Sequence, residues 1–394
     1  MQDIWRHIHS TVPLCDAARA SCVSRAFLHS WRCRPNLILN RDTLRSKAHV
    51  SGANFSHTLD CILRRHSGVG VKTLQLVLDD IANNGDLDSW LQEAVAPGIE
   101  ELVLLPISEM IKYNFPCSLL SEGIRNSIRH LTLGYCAFRP TPELGPLRSL
   151  TSLCLDTVGI TGYPSPDPAQ CGKPTALGTP FIPCELQQLS SLRVCGGWRL
   201  KVIESKAPNL SNLAITGKVK LSGETLQMKH LSMLFGNVVC YARSELPSIL
   251  PNLETLELTS GYEVPFILQV TQQRMRHASV FGDSSSLRQI DEHKYCCLKS
   301  VKISGFTSAK SLVELTCHIL KNAVSLESVT LDTLYGWRCS EENRASCNHM
   351  GNGIPREAPR ALEAIRTYIT DKVPATAKFS VVEPCRRCHK VARS

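Results

Sequence analysis

Ten short segments of this chain carry apolar residues at positions i, i+3 and i+5. They are Val71-Leu74-Leu76, Ile99-Leu102-Leu104, Ile128-Leu131-Leu133, Leu150-Leu153-Leu155 and Leu189-Leu192-Val194. Then come Leu210-Leu213-Ile215, Met228-Leu231-Met233, Leu253-Leu256-Leu258, Leu298-Val301-Ile303 and Leu326-Val329-Leu331. The last two positions of each set are two residues apart, the period of a strand that buries one side. A unit this short cannot bury its apolar side alone. The units must therefore stack on one another, and they predict a repeat architecture with a long exposed strand face. Such faces bind other macromolecules more often than they perform chemistry.

Length and composition bound the rest. The chain has 394 residues, 43% of them hydrophobic. No run reaches the roughly 18 uninterrupted apolar residues of a membrane helix. The opening Met1-Gln2-Asp3-Ile4-Trp5-Arg6-His7 has neither the basic start nor the long apolar stretch of a secretion signal. Cytoplasm or nucleus is the expected location. The 18 cysteines are then expected to be free thiols, several of them acting as small apolar residues near strands (Cys136, Cys154, Cys195). The formal net charge of +9 is dispersed. No basic run interleaved with aromatics tracks a nucleic-acid backbone, so neither nucleic acid nor membrane is an expected partner.

Along the chain, Ile4, Trp5 and Ile8 fall on one side of a first helix. Ser10-Thr11 and Pro13 open a second helix, with Asp16 near its positive end. A third carries Phe27, Leu28 and Trp31. Residues 41–70 read as a connector with a short helix over Thr58–Leu63. Repeats occupy 71–333. Measured between middle apolar positions, their steps are 28, 29, 22, 39, 21, 18, 25, 45 and 28 residues. The two long steps hold inserts at about 159–185 and 262–296; the second has room for one degenerate repeat. In residues 334–394, a helix over Ala358–Thr370 and a strand at Lys378–Val382 read as a C-terminal cap, followed by a basic tail. The fold class is α/β: a leucine-rich-repeat solenoid, or horseshoe, preceded by a small three-helix domain.

The first 40 residues resemble an F-box. The resemblance rests on Asp3-Ile4-Trp5-Arg6-His7-Ile8-His9-Ser10, Val12-Pro13-Leu14, Asp16-Ala17-Ala18-Arg19-Ala20, Cys22-Val23-Ser24-Arg25-Ala26-Phe27 and Trp31-Arg32. Met1-Gln2 stands where the family has a Leu-Pro pair, so the match is truncated at its start. Together with the repeats, and with Ala361, Ala364, Ile365, Arg366, Tyr368, Ile369 and Val382-Glu383-Pro384-Cys385 near the end, the chain resembles plant, grass-type F-box/leucine-rich-repeat proteins. The resemblance implies a substrate-recognition subunit of a Skp–Cullin–F-box ubiquitin ligase, acting in ubiquitin-dependent degradation. Its partners would be a Skp-type adaptor, through it a cullin, and a target protein held by the repeats. The adaptor-binding residues it implies are Ile4, Trp5, Ile8, Val12, Pro13, Leu14, Val23, Phe27 and Trp31. Six of these (Ile4, Ile8, Leu14, Val23, Phe27 and Trp31) are more large apolar groups than thirty residues can hide. Two other readings stay open: a protein-binding scaffold with no ligase link, its helical start serving as a cap, and a degenerate, non-functional gene product.

Residues beside the buried pairs alternate to the opposite, concave face. Gln75, His130, Asp156, Arg193, Asn212, His230, Glu257, Lys302 and Asp332 are the substrate-binding candidates. Their charges are mixed and select no ligand class. No enzymatic motif appears: there is no G-x-S-x-G, no H-E-x-x-H and no phosphate-cradling glycine loop. Cys385-Arg386-Arg387-Cys388-His389 has half a zinc site's spacing, but its complements Cys339, Cys347 and His349 are irregularly placed. Hence no catalytic residue, metal or cofactor is expected.

Overall fold

The computed structural model describes the chain apart from residues 1–3, 5–6, 9–10, 45–51, 67–69, 79–83, 107–112, 140–143, 161–185, 197–201, 205–206, 217–219, 223–226, 236–237, 245–251, 261–278, 283–286, 289, 291–293, 335–352 and 385–394. Two compact units result: 1–210 with 219–224, and 211–218 with 225–394.

All ten segments form strands. In the first unit a parallel sheet runs in the order β1 (Asn36–Leu39), β2 (Thr73–Leu78), β3 (Glu101–Pro106), β5 (His130–Gly134), β7 (Ser152–Asp156) and β9 (Ser191–Cys195). Leu74, Leu102, Leu131, Leu153 and Leu192 pair in one row across it, and each is at most 5% exposed. Beside this sheet lies a second one, of β4 (Tyr113–Phe115), β6 (Cys136–Phe138) and β8 (Gly159–Ile160). There Phe115 meets Phe138 edge-on at 6.0 Å. A two-strand ladder pairs β10 (Val202–Glu204) with β12 (Lys220–Ser222).

The second unit repeats the plan with β11 (Asn212–Thr216), β13 (His230–Leu234), β14 (Thr255–Thr259), β15 (Ser300–Ser304), β16 (Ser328–Asp332) and β17 (Lys378–Val382), again parallel. Its interior row is Leu213, Leu231, Leu256, Val301 and Val329. The 45-residue step hides no further repeat in this sheet, because β14 pairs directly with β15. Likewise β7 pairs directly with β9, so the first insert leaves the ladder unbroken. Gly159 and Ile160 belong to β8; the rest of that insert lies outside the described residues.

β1 corrects the boundary drawn from sequence, which assigned residues 1–40 to the helical domain. Its register, Leu37↔Leu74 and Leu39↔Leu76, makes it a repeat strand. The i position of this set is held by Arg34, only 8% exposed. Arg34 Nε donates to the Asn36 carbonyl at 3.1 Å, and a terminal guanidinium nitrogen donates to the Val12 carbonyl at 2.8 Å. A cation in an apolar position is tolerated because its donors are satisfied.

Before β1 lie α1 (Leu14–Ser21) and α2 (Arg25–Arg32). Pro13 stands at the N-cap of α1, and its carbonyl accepts from the Asp16 and Ala17 amides. Ser24 caps α2 by accepting from the Phe27 amide at 3.1 Å. The connector holds α3 (Gly52–Arg65), longer than expected. α4 (Asn84–Ala94) follows β2, and α5 (Glu122–Arg125) precedes β5. In the second unit α6 (Val238–Ser244) follows β13. α7 (Lys310–Asn322) and α8 (Gly353–Tyr368) follow β15 and β16. Ala361, Ala364, Ile365 and Ile369 are each at most 2% exposed. Glu357 ties α8 to the start of α7, accepting from the Ser308 amide at 3.2 Å and the Ser308 hydroxyl at 2.7 Å.

Candidate functional site

Each sheet has one side packed with the leucine rows and one side facing away. On the first unit the outward side carries Gln75, His130, Asp156 and Arg193, as the alternation predicts. His130 and Arg193 are exposed; Gln75 and Asp156 are half-buried. Glu101 organises the early strands of this face. Its carboxylate accepts from Gln75 Nε2 at 3.1 Å and from the Thr73 hydroxyl at 3.3 Å. His130 stands beside Glu101 in register, and Arg193 stands beside Cys154. Burial raises the Cys154 thiol above its ordinary pKa, and the neighbouring Cys195 adds to this.

The same face carries apolar groups that the candidate list omitted: Ile38, Val77 and Leu105, beside Val103. Ile38 is 38% exposed. Leu105 lies over Gly134, where an added Cβ would sit 2.5 Å from its Cδ2. A sequence signal for these was present. In Leu76-Val77-Leu78 and Leu102-Val103-Leu104-Leu105, apolar residues fill positions that alternation reserves for polar ones.

On the second unit Asn212, His230, Glu257 and Lys302 face outward. Asn212 pairs with His230 and Glu257 with Lys302 in register. Asp332 does not join them, which corrects its assignment to the binding face. It is 5% exposed, and its carboxylate accepts from the Leu334 amide at 2.7 Å. The aspartate satisfies the turn leaving β16 instead of facing solvent. Around the remaining candidates this face is rich in hydroxyls, and Ser328 donates to Ser300 at 2.9 Å.

Just ahead of the strands, side chains of opposite charge alternate from repeat to repeat. Lys72 Nζ lies 2.7 Å from Glu100 Oε1 in the first unit. In the second, Glu254 is flanked by Lys229 at 3.1 Å and Lys299 at 3.0 Å. The hydrogen bond from Lys72 holds the Glu100 carboxyl below its usual pKa, and those from Lys299 and Lys229 do the same for Glu254. The lysines of these pairs are about half exposed, so the pairs add little to stability. A shallow cavity of about 370 Å³ opens at this edge, lined among others by Glu254, Lys299, Cys296 and Ser325.

The sequence-derived adaptor set divides. Ile4, Ile8, Pro13 and Val23 are exposed; Val12, Phe27 and Trp31 are half-buried. Leu14, only 6% exposed, turns inward and is corrected out of that set. Trp5 lies outside the described residues, as do Cys339, Cys347, His349 and Cys385–His389. Among the described residues no three His, Cys, Asp or Glu side chains come together to hold a metal ion. No described helix is long and apolar enough to cross a membrane.

No curated protein matches the chain. A family model described as the leucine-rich-repeat domain of At1g61320/AtMIF1, a plant protein, matches residues 62–164, 175–266 and 264–386. These spans cover most of the repeats placed above and continue through α8 and β17. Domains of this kind generally bind protein partners. The chain belongs to the At1g61320/AtMIF1 leucine-rich-repeat domain family, an α/β repeat solenoid.

Proposed function

We propose that this protein is the non-catalytic substrate-recognition subunit of a Skp–Cullin–F-box ubiquitin ligase. Its helical start docks a Skp-type adaptor, and its repeats hold the protein to be degraded. The supporting observation is the exposure of three large apolar side chains in the first 23 residues: Ile4 at 62%, Ile8 at 41% and Val23 at 79%. Burying each is worth roughly 1.5–3 kcal/mol, and adaptor helices laid over them would supply that burial. Leu14 and Ala17, buried beneath, keep the segment in shape for docking.

In this reading α8 and β17 close the last repeat, since a stack's end would otherwise expose an apolar edge. Holding adaptor and target on one body raises the local concentration of target lysines near the conjugating enzyme. The protein works in the cytoplasm or nucleus and needs no cofactor.

Co-purification with a Skp-type adaptor tests the proposal. The native chain captures the adaptor. The variant Ile8→Asp/Val23→Asp loses capture by at least about tenfold, one buried apolar group's worth, while its thermal unfolding is unchanged. Capture that survives both substitutions sinks the docking surface.

A second reading has its own support. Arg34 bonds to the Val12 carbonyl, and the Cys15 thiol donates to the Thr43 carbonyl at 3.1 Å. Both tie the helical start to the first repeat, as a cap would be tied in a scaffold without a ligase link. A native chain that captures no adaptor, yet loses cooperative unfolding when residues 1–33 are removed, selects this reading.

A further inference from the structure

We propose that Cys317 and Lys372 form an oxidative cross-link that locks the C-terminal segment onto the last repeat helix. Cys317 lies on α7, half-buried. Lys372 ends the short 3-10 turn Thr370–Lys372 that follows α8. Although 55 residues apart in sequence, the two meet: Lys372 Nζ donates to Cys317 Sγ at 3.3 Å. The thiol in turn donates to the Tyr368 carbonyl at 3.4 Å, so the sulfur sits between the end of α8 and the turn beyond it. Nitrogen and sulfur are thus already in contact, without backbone movement. Both residues lie within the second unit.

The chemistry needs a hydroperoxide as oxidant. The sulfur attacks the peroxide, the O–O bond breaks, and Cys317 becomes a sulfenic acid while the peroxide is reduced to water. A sulfenic acid is known to condense with a backbone nitrogen to a sulfenamide; here the neutral Lys372 amine, held 3.3 Å from the sulfur, takes that nitrogen's place. The Lys372 amine attacks the sulfur, the S–O bond breaks, and the nitrogen loses a proton as water leaves. Overall, thiol, amine and hydrogen peroxide give an S–N bond and two waters. Excess thiol reverses the link by attacking the sulfur and releasing the amine.

The contact also has a structural consequence. α8 is held to α7 by the Glu357–Ser308 bonds and by apolar burial. A covalent bond at the other end of α8 closes a loop through β16 and α8, and so restricts how far that helix can open.

Peptide mapping of the full chain, with and without hydrogen peroxide, tests the proposal. The expected product joins the Cys317 and Lys372 peptides at about 2 Da below their summed mass, the two hydrogens lost. Trypsin no longer cleaves after Lys372, and dithiothreitol restores both peptides. Lys372→Arg keeps the positive charge and abolishes the joined product, leaving Cys317 to oxidise alone. Joined peptides in Lys372→Arg, or oxidised Cys317 beside an unmodified Lys372 in the native chain, overturn the proposal. The native chain decides the matter even where a variant misfolds.

Discussion

The Arg34 guanidinium donates to the Val12 carbonyl across 22 residues of chain at 2.8 Å. It does so from a position that the neighbouring repeat fills with Val71. Burial holds the guanidinium somewhat below its ordinary pKa, though such a group stays charged throughout the accessible range. Arg34→Ala removes the donor to Val12 and empties a core position. We expect a loss of about 2–4 kcal/mol in urea unfolding, from lost packing and unsatisfied carbonyls. Amide exchange across α1 and α2 should rise together with it. A loss under about 0.5 kcal/mol, typical of a bare surface change, removes the bracing role.

The interior rows set the scale for the rest. Leu102 and Leu131 are at most 1% exposed and neighbour each other in register. Leu102→Ala should cost about 2–5 kcal/mol, the transfer and cavity terms together. Val324, 75% exposed, should change by no more than about 0.5 kcal/mol when replaced by Ala. Equal effects in denaturant unfolding would contradict the placement of the core.

Leu105 and Gly134 should be coupled. In an isolated strand, Gly→Ala stabilises by restricting the unfolded chain. Here the new Cβ meets Leu105 Cδ2 at 2.5 Å, so the leucine must swing aside. Gly134→Ala is expected to be neutral or destabilising in the native background and stabilising when Leu105→Ala is present. The difference should be about 0.5–1 kcal/mol by double-mutant cycle, the low end for residues in contact. Additive effects would mean that the two side chains do not compete for one space.

His66 makes stability depend on pH. Burial lowers its pKa below the ordinary 6.5, and a hydrogen bond to the Arg34 carbonyl at 2.9 Å offsets part of the shift. The folded chain therefore favours the neutral ring. As pH falls below about 6.5 the unfolded chain binds the proton first, so stability is full above that value and declines through the window beneath it. His66→Gln keeps a donor but does not titrate. Its stability between pH 5 and 7 should follow a shallower slope than the native chain's in chemical denaturation; parallel slopes would exclude His66 as the source.

Local spacing made the interior rows legible. Leu74 to Leu192 and Leu213 to Val329 follow from side-chain alternation, which each strand encodes within six residues. The final strand at Lys378–Val382 was legible from sequence as well, although none of its residues is fully buried. β1 was not, because Arg34 occupies the position where the pattern demands an apolar group, and only its bonds to Val12 and Asn36 make that burial tolerable.

Whether a side chain that alternates outward stays in water is a different question. It depends on chain that returns from elsewhere. Asp332 and Glu257 hold comparable outward positions on their strands. Asp332 is nevertheless covered, because the turn behind it needs its carboxylate and because the Thr333 amide bonds to the Val382 carbonyl, from β17, at 3.0 Å. Leu14 and Val23 read alike as apolar members of one helical motif. One is buried and the other is 79% exposed, since only the packing of α1 against its neighbours decides which side is covered. The sequence by itself determined the strands and their buried sides, because that information is periodic and local. Tertiary structure decided which remaining groups meet, Cys317 with Lys372 among them, because those distances are set by elements dozens of residues apart.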